Sequence, residues 1–347
     1  MRSSPPDSPW RWVLAAIAGI AVVAAAGWLG MRSWLEAPLN LRQSVIVELP
    51  EGGNLTRFLA ELAERGIVLH PAVLRLHARQ SGIANRVRAG EYRLDPGLSP
   101  RGLLQKLVDG DVVEYALTVV EGSTVRQMLQ VLHSQSKLRR TLADTDVKTL
   151  AAALALEIGD APSAEGLFFP DTYHYHLGMD DGDVLRIAHR RMMSILAEEW
   201  EKRAPGLPYR EPYEALVMAS LVERETGQAD ERSRIAGVFV RRLELGMRLQ
   251  TDPAVIYGVG DAFDGDLRRE HLRTPGPYNT YLNTGLPPTP IALPGREAIR
   301  AALNPAAGDE LYFVARGDGS HVFSATLEEH NRAVRRYQLG KREGGRP

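Results

Sequence analysis

The stretch EALVMASLVERETG, Glu214 to Gly227, carries apolar or small side chains at every position from Ala215 to Val222. At about 100° per residue such a run is apolar on every side, which describes a helix buried all round rather than one resting on a surface. A domain has to be built around a helix of this kind. The run ends in Glu223, Arg224 and Glu225, with Thr226 and Gly227 placed as a C-cap. Carboxyls at a helix C-terminus face the negative end of the backbone dipole, and partial burial adds desolvation. Both effects raise a carboxyl pKa, and an acid kept protonated near neutral pH is what general-acid chemistry needs. A charge pair at an exposed helix end is the competing reading of the same residues.

Outward from this helix the pattern predicts an α+β region from about Val113. Val184 to Glu199 reads as a helix capped by Asp183, PGLPYREP (205–212) as a loop, and Ser233 to Leu245 as a helix ended by Gly246. Asp252, in LQTDPAVIYG, is either a second catalytic carboxylate or an N-cap followed by proline at the first helical position. The proline- and glycine-rich stretch between Asp266 and Arg296 is long for a loop, and Tyr278, Tyr281 and Leu286 give it apolar anchors, so it is expected to be ordered. Strands at Leu311 to Arg316 and from His321, then a helix with Leu327, His330, Val334 and Tyr337 on one face, close the chain.

Other chemistries find less support. Asp171, His174 and His176 put two imidazoles on one strand face, but no third strong ligand is close in sequence, so no metal is expected. His321 and Ser324 lack the glycine pattern of a nucleophile elbow. Lys148, Lys202 and Lys341 are poor Schiff-base candidates, and no glycine loop cradles a phosphate, so no cofactor is expected. Cysteine is absent, and 42 basic against 43 acidic residues give a net charge of -1, so nothing points to nucleic acid.

At the N-terminus, WVLAAIAGIAVVAAAGWLGM (Trp12 to Met31) contains no charge, and twenty residues match a hydrocarbon core of about 30 Å. It reads as a transmembrane helix with Trp12 and Trp28 near its ends, leaving 1–11 as a tail. A cleaved signal peptide normally has a shorter apolar region, and Trp28-Leu29 does not suit cleavage. Arg2 and Arg11 before the span balance Arg32 and Arg42 after it, so charge does not settle orientation. Beyond it a strand, a glycine turn and an amphipathic helix recur at Val47 to Leu62, Tyr92 to Leu107 and Leu117 to Leu132. Asn54, Ser99 and Thr124 stand at the N-cap positions. The first two units are expected to pack as one small domain, either a glycan-binding module or a spacer.

Several long blocks in order, ASLVERETG (219–227), ERSRIAGVFVRRLELGMRLQTDPAVIYG (231–258), PYNTYLNTGLPPTPIALPG (277–295) and LYFVARGDGSHVFSATLEEHN (311–331), resemble the MltG (YceG-like) family of endolytic murein transglycosylases. The resemblance implies a cytoplasmic tail (1–11), an inner-membrane span (12–31), a LysM-like glycan-binding module (32–115) and a periplasmic catalytic domain (116–347). It implies cleavage of the β-1,4 bond between N-acetylmuramic acid and N-acetylglucosamine of peptidoglycan strands, leaving 1,6-anhydro ends, with peptidoglycan synthases as partners. Carried over by motif, the catalytic acid is Glu225, with Glu223 in reserve. Gln250, Asp252, Tyr257, Tyr278, Asn279, Thr280 and Tyr281 are the implied substrate contacts. A muramidase-type hydrolase using Glu225 with Asp252, and a non-catalytic membrane-tethered glycan-binding scaffold, remain as alternatives.

Overall fold

The computed structural model describes residues 9–142, 146–159 and 161–339; most of the expected tail, residues 1–8, and Lys341 lie outside the described residues. Among the described residues the fold mixes helices with three two-stranded sheets, and the chain divides into two compact units, Met1–Tyr115 with His176–Gly178, and Ala116–Tyr175 with Met179–Pro347.

The first unit runs α1 (Pro9–Glu36), β1 (Val45–Leu49), α2 (Leu55–Glu64), α3 (Pro71–Gln80), β2 (Gly90–Leu94) and α4 (Pro100–Asp109). Strands β1 and β2 pair antiparallel with Val47 opposite Tyr92, so the two repeated units share one sheet. Asn54 and Ser99 each accept a backbone N–H three residues on, which starts α2 and α4 at the positions their sequences set. Their apolar stripes, with Tyr92 and Leu94, form one core. Helix α3, which the repeat did not foretell, covers that core with Leu74 and Ala78.

Helix α1 is longer than its uncharged run. Its side chains are exposed from Trp10 to Gly30, as an apolar helix without protein neighbours must be. Past Met31 it continues into the core of the unit, where Leu35 is 1% exposed. The uncharged run and the core of the first unit are therefore joined by continuous helix and not by a linker.

The chain continues with β3 (Glu114–Thr118), α5 (Val125–His133), α6 (Val147–Ala153), β4 (Thr172–His176), α7 (Asp181–Glu201), α8 (Pro212–Glu225), α9 (Arg232–Glu244), α10 (Asp252–Val259), α11 (Arg269–Arg273), α12 (Arg296–Leu303), β5 (Tyr312–Ala315), β6 (His321–Ser324) and α13 (Leu327–Val334), all in the second unit but for the first residues of β3 and the last of β4. Every residue of α8 from Ala215 to Val222 is buried, and α7, α9, α10 and α12 pack around it. Ser220, the one polar side chain in that run, donates to Val217 O and accepts Ile291 N–H at 3.0 Å. This ties the end of the long loop to the middle of the helix, and residues 289–295 of the loop are buried.

Some local readings need correction. The N-cap of α7 is Asp180, not Asp183; Asp181 instead points inward and accepts the N–H groups of Thr141 and Leu142. The N-cap of α10 is Thr251, not Asp252, which is the first helical residue. Leu327 is 55% exposed, so the stripe expected on the last helix does not face the core along its whole length.

Leu35→Ala should lower the stability of the first unit by about 2–5 kcal/mol, since it empties a closed core site. Native-state hydrogen exchange of the β1–β2 amides in detergent measures this. Val22→Ala, at an exposed position of the same helix, should leave those amides unchanged.

Candidate active site

Burial raises the pKa of three carboxyls of the second unit, Glu165, Glu223 and Glu225, and their bonding separates them. Glu165 is 1% exposed, with Oε1 accepting Val125 N–H at 2.9 Å and Oε2 accepting the Tyr257 hydroxyl at 3.0 Å. Burial pushes its pKa up to about 7 against those bonds. Both oxygens are committed to holding the start of α5 and the middle of α10.

Glu223 turns toward the start of α12. Its Oε2 accepts Gly295 N–H at 3.0 Å, and Arg232 lies 3.7 Å from Oε1. Burial raises its pKa, the Gly295 N–H opposes this, and the nearby Glu121 adds to the rise. A Cβ at position 295 would meet the Glu121 carboxylate, which would have to swing aside. Between the two acids, Arg224 donates to Gly122 O at 3.1 Å.

Glu225 is the last residue of α8 and is half-buried, enclosed by protein on most sides. Only one bond reaches its carboxyl among the described residues: the Thr251 hydroxyl donates to Oε2 at 2.9 Å. Burial pushes its pKa up to about 7, with the Asp252 charge adding to the rise and the Thr251 bond and the Arg242 charge opposing it. No cation lies within ion-pairing distance among the described residues. An acid whose pKa lies near 7, oriented through one oxygen and unbonded at the other among the described residues, is fitted to give and take a proton.

The neighbouring chain is shaped to make that one bond. Gln250 has a left-handed backbone, φ 53, a conformation that few residues other than glycine adopt. Its N–H donates to Thr280 O at 3.1 Å, and the Thr280 hydroxyl accepts Thr251 N–H at 3.0 Å and donates to Thr251 O at 3.1 Å. This double clasp fixes Thr251. Asp252 is exposed and accepts the Tyr281 hydroxyl at 2.6 Å. Asn279, buried, donates to the carbonyls of His271, Leu272 and Thr274 and accepts Tyr281 N–H, so it organises the loop from within.

The structure thus brings Glu225, Gln250, Asp252, Thr280 and Tyr281 together, while Glu223 faces Gly295. Tyr257 and Tyr278 pack edge to face, 4.9 Å between centroids, and line a cleft of about 490 Å3 with Glu165, Arg224 and Pro253; Glu225 is outside that lining. Three residues of the site were missed in the sequence. Thr251 lay within the quoted TDP block. Arg242 follows Ile235, Val238 and Phe239 at helical spacing, which marks a cation on a buried face, and Glu165 is a lone acid before an apolar run.

The remaining candidates have ordinary explanations. His174 and His176 alternate with buried Tyr173 and Tyr175 on β4, and Asp171 pairs with Arg191 at 2.5 Å. His321 pairs through Nδ1 with Glu231 at 2.7 Å, while Ser324 is buried.

Residues 47–336 match the YceG-like family, and the chain belongs to it. It is 31% identical over 321 residues to the endolytic murein transglycosylase of Bacillus subtilis, covering 87% of each chain. It is 27% identical to the enzyme of that name from Streptococcus pneumoniae D39, of whose length it spans 64%. A crystal structure of a YceG-like protein from Listeria monocytogenes superposes with a TM-score of 0.54 at 28% identity, covering 84% of this chain and 99% of that one.

Because the folded state holds the Glu225 proton above the ordinary value of 4.5, stability from this group is full below that pH and falls as pH rises through about 7. Glu225→Gln should therefore gain stability relative to the native chain between those limits, measured by urea unfolding against pH. Thr251→Val should raise the Glu225 pKa further, read from carboxyl 13C shifts, because it removes the bond that favours the ionised form.

Proposed function

We propose that the chain is a membrane-anchored endolytic lytic transglycosylase of peptidoglycan. The observation that carries the reading is Glu225: a half-buried acid whose pKa is pushed up to about 7, with one oxygen held by Thr251 and the other unbonded among the described residues. The names of the B. subtilis and S. pneumoniae relatives support the substrate class.

In this reading Glu225 protonates the glycosidic oxygen as the bond from C1 of N-acetylmuramic acid breaks and oxocarbenium character develops. The carboxylate left behind takes the proton from the C6 hydroxyl of the same sugar, whose oxygen closes on C1 and gives the 1,6-anhydro end. One group serves as acid and then base, so no activated water or second carboxylate is required. Arg242 eases the ionised stage without pairing so tightly that the proton is lost beforehand. Gln250, Asp252 and Tyr281 contact the saccharide beside Glu225, Tyr257 and Tyr278 contact it in the adjoining cleft, and Asn279 and Thr280 act by holding the loop. Helix α1 crosses the inner membrane with the body in the periplasm. Residues 32–115 serve as a LysM-like glycan-binding module and 116–347 as the catalytic domain, and coupling to peptidoglycan synthases would let the enzyme trim or end nascent strands.

Glu225→Gln should reduce cleavage by at least about 10²- to 10⁴-fold while the protein stays folded. Glu223→Gln should retain the chemistry. Activity should fall as pH rises through about 7 and the acid ionises. Mass analysis of glycan digests should give muramyl ends lacking one water and no reducing ends. Reducing ends would instead assign a hydrolase with Asp252 as partner, and a folded protein that leaves peptide-bearing strands uncut would assign a scaffold.

A further inference from the structure

Residues 65–90 contain five arginines, Arg65, Arg75, Arg79, Arg86 and Arg88, and no acid, in a chain whose net charge is -1. Helix α3 lies in the middle of this segment. Its inner face is Leu74 and Ala78; its outer face carries Ala72, Leu76 and Arg79, and Leu69 stands just ahead of it. Leu69 is 64% exposed and Leu76 is 53% exposed. Arg75, Arg79 and Arg86 have no acidic partner among the described residues. The result is a small apolar ridge set among uncompensated arginines.

Helix α1 supplies the height of this ridge. Trp34 lies three residues, about 4.5 Å of helix, beyond Met31, where the uncharged run stops. Its ring is 5.5 Å from that of His70, the residue between Leu69 and the start of α3. Leu35 and Leu39 are core residues of the unit, Leu39 N–H donates to Leu98 O at 2.7 Å, and Glu36 pairs with Arg101 at 2.6 Å. The uncharged run thus enters the unit through unbroken helix whose end is packed and bonded into the core. If Met31 marks the edge of the hydrocarbon, His70 and its neighbours fall within the headgroup layer, which is about 5–8 Å deep on each side.

We propose that the outer face of α3 is a membrane foot, with Leu69 and Leu76 entering the boundary between headgroups and acyl chains, and Arg75 and Arg79 binding the phosphates of anionic lipid. An amphipathic helix with arginines flanking its apolar side is bound at such a surface by both effects together. The inference rests on α1 spanning the membrane. It goes further by giving the module a fixed orientation on the bilayer, with the β1–β2 sheet facing away from the lipid.

The chain has no cysteine, so single cysteines report single positions. The full chain carrying Leu76→Cys, Glu48→Cys or Val22→Cys is labelled with an environment-sensitive fluorophore and reconstituted into nanodiscs of phosphatidylcholine with or without phosphatidylglycerol. In discs containing phosphatidylglycerol, the label at 76 should be blue-shifted and quenched by lipids spin-labelled near the headgroup, while the label at 48, on the outer sheet face, stays water-like. Omitting phosphatidylglycerol, or adding Arg75→Glu with Arg79→Glu, should abolish the shift at 76. The label at 22 should be quenched by acyl-chain spin labels in every case. A water-like label at 76 with a lipid-buried label at 22 overturns the foot and leaves the anchor standing. A water-like label at 22 overturns the anchor itself, and the foot with it. A blue shift at 76 without lipid quenching means that protein covers the face, and lipid quenching indifferent to phosphatidylglycerol removes the arginine–phosphate contacts; either overturns the proposal as stated.

Discussion

Helix α8 has no polar side, and everything in the second unit follows from the need to bury it. Four helices and the end of the long loop close around Ala215 to Val222, and the polar exception, Ser220, is used to hold that loop. A helix enclosed this completely delivers its C-terminus into protein rather than into solvent. Its final carboxylates then meet low polarity and the negative end of the backbone dipole at once. The raised pKa of Glu225 is thus a consequence of how the core is filled.

Burial alone does not choose among acids. Glu165 and Glu225 are both pushed up to about 7, and Glu223 also upward. What differs is how many carboxyl oxygens the fold has already used. Glu165 spends both on Val125 and Tyr257, and Glu223 meets Gly295 and Arg232, so each ties separate elements together. Glu225 has one oxygen fixed by Thr251. A two-residue step along α8 turns the side chain by about 200°, which sends Glu223 to one wall of the unit and Glu225 to another.

The features legible in the sequence were those set by neighbours along the chain. The caps at Asn54, Ser99 and Thr124 depend on residues three positions away, and the burial of α8 depends on a run of eight. Where several acids compete locally, as at Asp180, Asp181 and Asp183, the cap was misread, because the choice was made by Thr141 and Leu142 from about forty residues upstream. The same limit explains Thr251. Its hydroxyl reaches Glu225 only because Gln250 turns left-handed and Thr280 clasps the backbone, and neither event leaves a periodic trace. Asn279 is similar: the resemblance implies a contact to sugar, while its donors are used on three carbonyls of its own loop.

The strained turn at Gln250 is intelligible in these terms. A residue other than glycine at φ 53 carries a cost of about 1–3 kcal/mol, which persists only where surrounding bonds dictate it. Here one backbone bond from Gln250 and two bonds between the Thr280 hydroxyl and the Thr251 backbone supply that constraint. The yield is a hydroxyl placed at one oxygen of Glu225 without a formal charge beside it. A lysine or arginine in the same place would hold the carboxyl more firmly, but it would also pull its pKa down and leave it ionised at neutral pH. A neutral donor on a rigid, strained turn orients the acid and leaves its proton in place, and Arg242, kept at a distance by its bonds to Leu249 and Leu311, supplies positive potential for the ionised form alone.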